Sequence, residues 1–256
     1  MEIRILGSVS VRVDGTPVDL RSEKTRRLLA LLAWQPDEFL ADDFLIDRIW
    51  EENLPVRPRD ALYTCASRLR HAFGDGVRCA PSGPLCRRRG GYLLAIEPQS
   101  VDLHRFRALA RSAREALRLG DETRAIELFD EALALWGGTP LADLESAWSV
   151  RARVGMAREL LSAQVDWARL ALRLGSHGET IPALYQLAEE YPLDETIAQL
   201  QMEALYRSGR QGESLACFAG IRKRLVLELG DEPGEALHDL HGRILRRDPS
   251  LHLVVS

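Results

Sequence analysis

The chain has 256 residues, 46% hydrophobic and 28% charged, which suits one or two domains with a buried core and excludes a mainly disordered polymer. Its net charge of −4 conceals a split: residues 56–92 hold eight arginines (57, 59, 68, 70, 78, 87, 88, 89) against Asp60 and Asp75, a net +6, while residues 36–52 hold seven acids against Arg48, a net −6. No run approaches the ~20 apolar residues of a membrane helix, and the alternating start Met1–Leu6 lacks a secretory leader's pattern, so the expectation is a cytoplasmic protein with no membrane partner.

Ile3 and Ile5, then Val9, Val11, Val13 and Val18 alternate around Asp14-Gly15, the pattern of a small antiparallel sheet with a tight turn. Ser22 is placed to cap a first helix that Pro36 ends, with Leu28, Leu29, Leu31, Leu32 and Trp34 between them. Residues 41–52 read as a second helix through Phe44, Leu45, Ile49 and Trp50. Pro55 and Pro58 break the chain. A third helix runs from about Arg59 to Phe73, with Leu62, Cys65, Ala66, Leu69 and Phe73 in one buried stripe. Residues 77–96 read as a hairpin: Val77–Ala80 as one strand, Pro81–Pro84 as the turn, and Leu85–Ile96 as the return.

From Val101 the alternation gives way to Ala, Leu, Glu and Arg in helical spacing, placing a boundary near Glu97–Gln99 and two expected domains, 1–97 and 98–256. Three segments align on Gly120, Gly175 and Gly209, with Ile126, Ile181 and Leu215 six residues on and Phe129, Leu184 and Phe218 nine residues on. The last two glycines stand 34 apart, the tetratricopeptide period, so each unit reads as helix, glycine turn, helix. The wider first interval implies an insertion (137–147) or a longer helix. Pro182 fits if its helix begins near Glu179.

Phosphate-loop, dinucleotide, nucleophile-elbow and zinc-protease motifs are absent from the sequence, so no enzyme, cofactor or metal site is expected. His238 and His241 read as solvent-facing helix residues. The four scattered cysteines read as reduced thiols, although a turn between Cys79 and Cys86 would bring those two near each other.

Three helices followed by a hairpin make a winged helix-turn-helix. At 100° per residue the third helix turns Asp60, Thr64, Ser67 and His71 outward, with Tyr63 and Arg70 on one flank and Arg68 on the other. Thr64, Ser67, Arg68 and His71 carry donors for base edges in a ~12 Å major groove. Arg59, Tyr63 and Arg70 stand where phosphates would lie, and Arg87, Arg88 and Arg89 suit a minor groove. DNA would repel the acidic segment, which is expected to face a basic protein surface through Asp42, Asp43, Asp47 and Glu51. A helical-repeat adaptor whose basic patch binds an acidic protein partner is the alternative.

The segment Tyr63-Thr-Cys-Ala-Ser-Arg-Leu-Arg70 followed by Arg89-Gly-Gly-Tyr92 resembles the recognition helix and wing of OmpR-type winged helices. Ala134–Leu144 (ALWGGTPLADL), Ala204–Arg210 (ALYRSGR) and Leu229–Leu245 (LGDEPGEALHDLHGRIL) resemble a bacterial transcriptional activation domain. Together these resemble the Streptomyces antibiotic regulatory protein family in its short form. The resemblance implies an α+β chain: an OmpR-type winged helix followed by an all-α, tetratricopeptide-like domain. It also implies a transcription activator of secondary-metabolite gene clusters. Such an activator binds promoter direct repeats in duplex DNA as a head-to-tail pair and recruits RNA polymerase through its σ and α subunits, σ being the partner assigned to the acidic residues. Asp60–Phe73 becomes the reading helix, and Arg87–Arg89 with Tyr92 the wing. The ATPase module of long members and the phosphopeptide-binding domain of some relatives are not found within these 256 residues.

Overall fold

Positive φ at both Asp14 (49°) and Gly15 (79°) closes the first hairpin, the twist that a two-residue turn requires. It joins β2 (Ser10–Val13) to β3 (Thr16–Val18), and β1 (Glu2–Arg4) pairs antiparallel on the other edge of β2. The computed structural model describes residues 1–74 and 83–252. Two compact units divide the chain: Met1–Leu119 with Glu127–Leu160, and Gly120–Ile126 with Leu161–Ser256.

In the first unit, α1 (Glu23–Trp34) is buried over nearly its whole apolar run, Leu28 to Ala33. Ser22 is its N-cap residue, but the hydroxyl caps nothing; Glu23 in the first turn pairs with Arg27 instead. α2 (Asp42–Trp50) and α3 (Pro58–Phe73) pack against α1 and against each other. Pro58 opens α3 at a position where its missing N–H costs nothing. Leu62, Cys65, Ala66, Leu69 and Phe73 are all buried, the expected stripe.

The wing differs from the sequence expectation. Its hairpin is β5 (Leu85–Arg88) with β6 (Gly91–Leu94), turning at Arg89-Gly90, where Gly90 has φ 82°. The single return strand expected over 85–96 is therefore itself the hairpin. A two-residue strand, β4 (Leu40–Ala41), extends it into a sheet of order β4-β6-β5. The expected strand Val77–Ala80, residues Pro81 and Ser82 of the expected turn, and Cys79 lie outside the described residues.

The expected insertion before Ala147 fastens the amino-terminal segment. Along it, the amides of Gly137, Leu141 and Ala142 donate to the carbonyls of Leu6, Ile5 and Gly7. The Asp143 carboxylate accepts from Val9 N at 2.8 Å and pairs with Arg26. Trp136 meets Phe106 edge-on at 5.2 Å. α4 (Asp102–Arg118) adds a second tie, because buried Asp102 accepts from the amides of Ile5, Leu6 and Leu103 at 2.8–3.0 Å. Compactness thus crosses the change of sequence pattern at residue 97.

His104 on α4 lies with Nε2 3.1 Å from the Ala33 carbonyl. Burial lowers its pKa from the ordinary 6.5, and neighbouring Arg107 pushes the same way. A depressed histidine pKa means the unfolded chain binds the proton more readily. The stability contributed is therefore complete above 6.5 and is lost as pH falls through the lowered value. Between about pH 7 and about pH 5, wild type should lose stability more steeply than His104→Gln, whose amide can still donate to Ala33. Parallel profiles in denaturant titrations would assign the acid sensitivity elsewhere.

The second unit is helical throughout its described residues. α7 (His177–Glu190), α8 (Glu195–Arg207) and α9 (Gln211–Leu229) pack in sequence order, and α10 (Glu235–Leu245) closes on α8 and α9. The aligned glycines are the turns: Gly120, Gly175 and Gly209 have φ 82°, 89° and 76°. Two residues after each one a helix starts: α5 (Glu122–Leu133), α7 and α9. The longer first interval contains both the insertion and α6 (Ala147–Arg173).

Two expectations are corrected here. Pro182 sits inside α7, which begins at His177 rather than near Glu179; Pro182 and Gly178 are both exposed, so water can serve the carbonyl left without an amide. His241 is half-buried and stacks on Phe218 at 3.9 Å, so only His238 of the pair is exposed. Cys65, Cys86 and Cys217 are free thiols, and burial pushes Cys217 up to about 11. No described helix is long and apolar enough to cross a membrane.

Candidate nucleic-acid interface

The outward face of α3 is the one the periodicity assigned. Asp60, Tyr63, Thr64, Ser67, Arg68 and His71 are exposed. The Thr64 hydroxyl donates back to Asp60 O at 2.9 Å, which leaves its oxygen free to accept. Ser67, Arg68 and His71 border an open groove of about 920 Å³ whose opposite wall is Leu20, Ser22 and Thr25. Arg68 has no ion-pair partner among the described residues. Asp60 lies 4.0 Å from Arg57, an exposed pair that softens the acid's repulsion of a phosphate.

On the other flank α3 meets the wing. Arg70 is half-buried, its Nε donating to Leu85 O at 3.3 Å, with its guanidinium 5.7 Å from the centre of the Tyr92 ring. Arg87 covers the same ring at 4.5 Å. Arg88, at the end of β5, and Arg89, in the turn, are exposed. Arg59 is exposed too, 3.4 Å from Asp43. Arg70 of the helix and Arg87 of the hairpin thus converge on Tyr92.

Tyr92 itself is 1% exposed. Its side chain supports the surface and is not part of it, which corrects its place among the surface contacts. Burial also raises its phenol pKa, so the ring is neutral between the two arginines.

Gly91 makes the close approach that a double glycine permits. A Cβ there would lie 2.2 Å from the Leu40 carbonyl and 2.5 Å from the Phe39 ring. Leu40 pairs with Tyr92 and Ala41 with Gly91, which holds the wing against the start of α2.

The acidic residues separate. Asp43 and Asp47 are exposed beside half-exposed Phe44. Asp42 is buried, and both its oxygens are held by Arg87; a carboxylate already neutralised has little to offer a basic partner. Glu51 is half-buried and accepts from Ala147 N at 2.6 Å, which gives it a local role as well. Charge counting missed both: it registers sign and segment, whereas the pairing needs the wing's register. Among the described residues no cluster of three or more His, Cys, Asp or Glu is arranged for a metal ion.

Residues 101–245 match the family described as bacterial transcriptional activator domain. Over 98% of its length the chain is 37% identical to the transcriptional regulator RedD of Streptomyces coelicolor, covering 72% of that protein. It is 32% identical to the regulatory protein DnrI of Streptomyces peucetius, across 98% of this chain and 94% of DnrI. Regulatory protein AfsR of Streptomyces coelicolor is 37% identical over 96% of the chain, which spans 24% of that larger protein. Among solved structures, Mycobacterium tuberculosis EmbR in complex with a low-affinity phosphopeptide superposes with a TM-score of 0.90 and 29% identity, over 98% of this chain and 68% of that one.

Proposed function

This chain belongs to the Streptomyces antibiotic regulatory protein family of transcriptional regulators, and from that premise we propose that it binds direct repeats in promoter DNA and recruits RNA polymerase to a secondary-metabolite gene cluster. The observation that supports the reading is the exposed row Thr64, Ser67, Arg68 and His71 on a helix whose Arg70 packs against the wing that carries exposed Arg88 and Arg89. The helix enters the major groove and reads base edges. The turn of the wing lies along the backbone at the adjacent minor groove. Two copies occupy neighbouring repeats. Asp47, and Asp43 at the edge where Arg59 lies 3.4 Å away, meet a basic surface of polymerase, with σ as the favoured subunit.

Arg68→Ala tests the reading helix. A guanidinium that reads a guanine contributes ~1–3 kcal/mol of discrimination. Its loss should weaken operator binding by that amount while leaving random duplex nearly unchanged. Equal weakening on both would make Arg68 a phosphate contact; no change on either would remove it from the interface. Asp43→Asn with Asp47→Asn should spare operator binding and lower promoter activation in a reconstituted transcription assay. Full activation by the double variant would remove the acidic surface from the polymerase contact.

A further inference from the structure

Four side chains and one backbone bond join the wing to α2 and, through Arg70, to the reading helix. Asp42, the first residue of α2, is clasped by Arg87, whose Nη2 donates to Oδ2 at 2.8 Å and whose Nη1 donates to Oδ1. Arg87 Nη1 also donates to Gly91 O at 3.2 Å. Three donations are thus spent inside the protein by a group that carries five N–H bonds. The Asp42 backbone amide donates to Gly90 O at 2.8 Å, so one residue holds the turn of the wing by its main chain and the first strand by its carboxylate. Arg87 and Tyr92 are partners across β5 and β6, and Arg70 reaches the same ring from α3.

Three elements supply the four members: Asp42 comes from α2, Arg70 from α3, and Arg87 with Tyr92 from the wing. The hydrogen bond to Asp42 raises the Arg87 pKa, so its charge is permanent and already neutralised. The Arg87 side chain is itself 42% exposed, and Arg88 and Arg89 beside it are exposed too, so what withholds Arg87 is the engagement of its donors and not burial.

We propose that Asp42, Arg70, Arg87 and Tyr92 form a positioning joint that fixes the wing against the reading helix, that Arg70 and Arg87 are thereby withheld from the phosphates, and that among the described wing residues Arg88 and Arg89 deliver the charge. The proposal rests on the DNA-binding reading and specifies which cations release counterions. Selectivity follows from the joint: it sets the span between a base read by α3 and a phosphate gripped by the turn of the wing. Loosening it harms the operator complex, where both contacts must be met together, more than a random complex.

The test is the salt dependence of binding by the full chain to operator and to random duplex. Each arginine that neutralises a phosphate contributes ~0.9 to the log–log slope. Arg88→Ala and Arg89→Ala should each lower the slope by about that amount and weaken both duplexes. Arg87→Ala should leave the slope unchanged, weaken operator binding several-fold and leave random duplex unchanged; Asp42→Asn should weaken operator binding likewise, but it frees the Arg87 charge and so should not lower the slope. Their losses should not add in the double variant, because both break one contact.

Arg87→Lys is the milder check. It keeps the charge and loses the two-pronged grip, so it should behave like Arg87→Ala. Restored operator affinity in Arg87→Lys, or a slope lowered as far by Arg87→Ala as by Arg88→Ala, overturns the joint. Wild type without salt-dependent duplex binding would instead overturn the DNA-binding reading, and the joint with it. Thermal midpoints and far-ultraviolet spectra identify any variant that has simply unfolded.

Discussion

Asp102→Ala should destabilise the first unit by about 4 kcal/mol, since each buried amide left without its acceptor costs ~1–3 kcal/mol. The carboxylate sits at the start of α4 and takes the amides of Ile5, Leu6 and Leu103. Ile5 and Leu6 are themselves fully buried, so no water is at hand to replace it. Burial raises the Asp102 pKa while the three amides pull it back down, the balance expected of a carboxylate whose lost hydration is returned by backbone donors. Four of the five tryptophans, Trp34, Trp50, Trp136 and Trp148, belong to this unit. Denaturant unfolding followed by tryptophan emission will therefore report on it. A midpoint change worth less than ~1 kcal/mol would mean that these amides find other acceptors on relaxation.

Gly91→Ala should be the most damaging single methyl in the wing, at about 3 kcal/mol, the upper part of the usual range for overpacking. The new Cβ would stand 2.2 Å from a backbone carbonyl, that of Leu40, and could be accommodated only by parting β4 from β6. The pairing partners affected include Tyr92, opposite Leu40, so operator binding should fall with stability. Gly90→Ala is the informative companion. Nothing stands within 4 Å of its added Cβ, and the strain there comes only from φ 82°. It should cost about 1 kcal/mol. Equal effects of the two substitutions would show that the wing tolerates separation from β4.

The three helices of the winged half were legible because each has one strong signal: the leucine run of α1, Phe44 to Trp50 in α2, and the stripe Leu62–Phe73 in α3. The repeat glycines were legible because a helix-to-helix turn needs the left-handed φ that glycine adopts without cost. β4 was not legible, since two residues carry no period. The turn at Arg89-Gly90 went unread because Pro81–Pro84 offers a louder turn signal, yet it is the turn at Arg89-Gly90 whose register puts Arg87 opposite Tyr92. Arg68 and Ser67 needed only helical geometry to be placed. Asp42 and Tyr92 needed tertiary pairing, 45 residues apart in the case of Asp42 and Arg87, and one-dimensional charge counting cannot supply it.

The clasp that the segment before α6 makes on Leu6, Gly7 and Val9 bears on how this regulator can be dissected. A fragment cut at the change of sequence pattern would carry the reading helix and the wing, yet leave Ile5, Leu6 and Val9 with amides facing nothing and Arg26 without its acid. A minimal reagent for operator work should therefore extend through residue 160, and shorter versions are expected to express as aggregates.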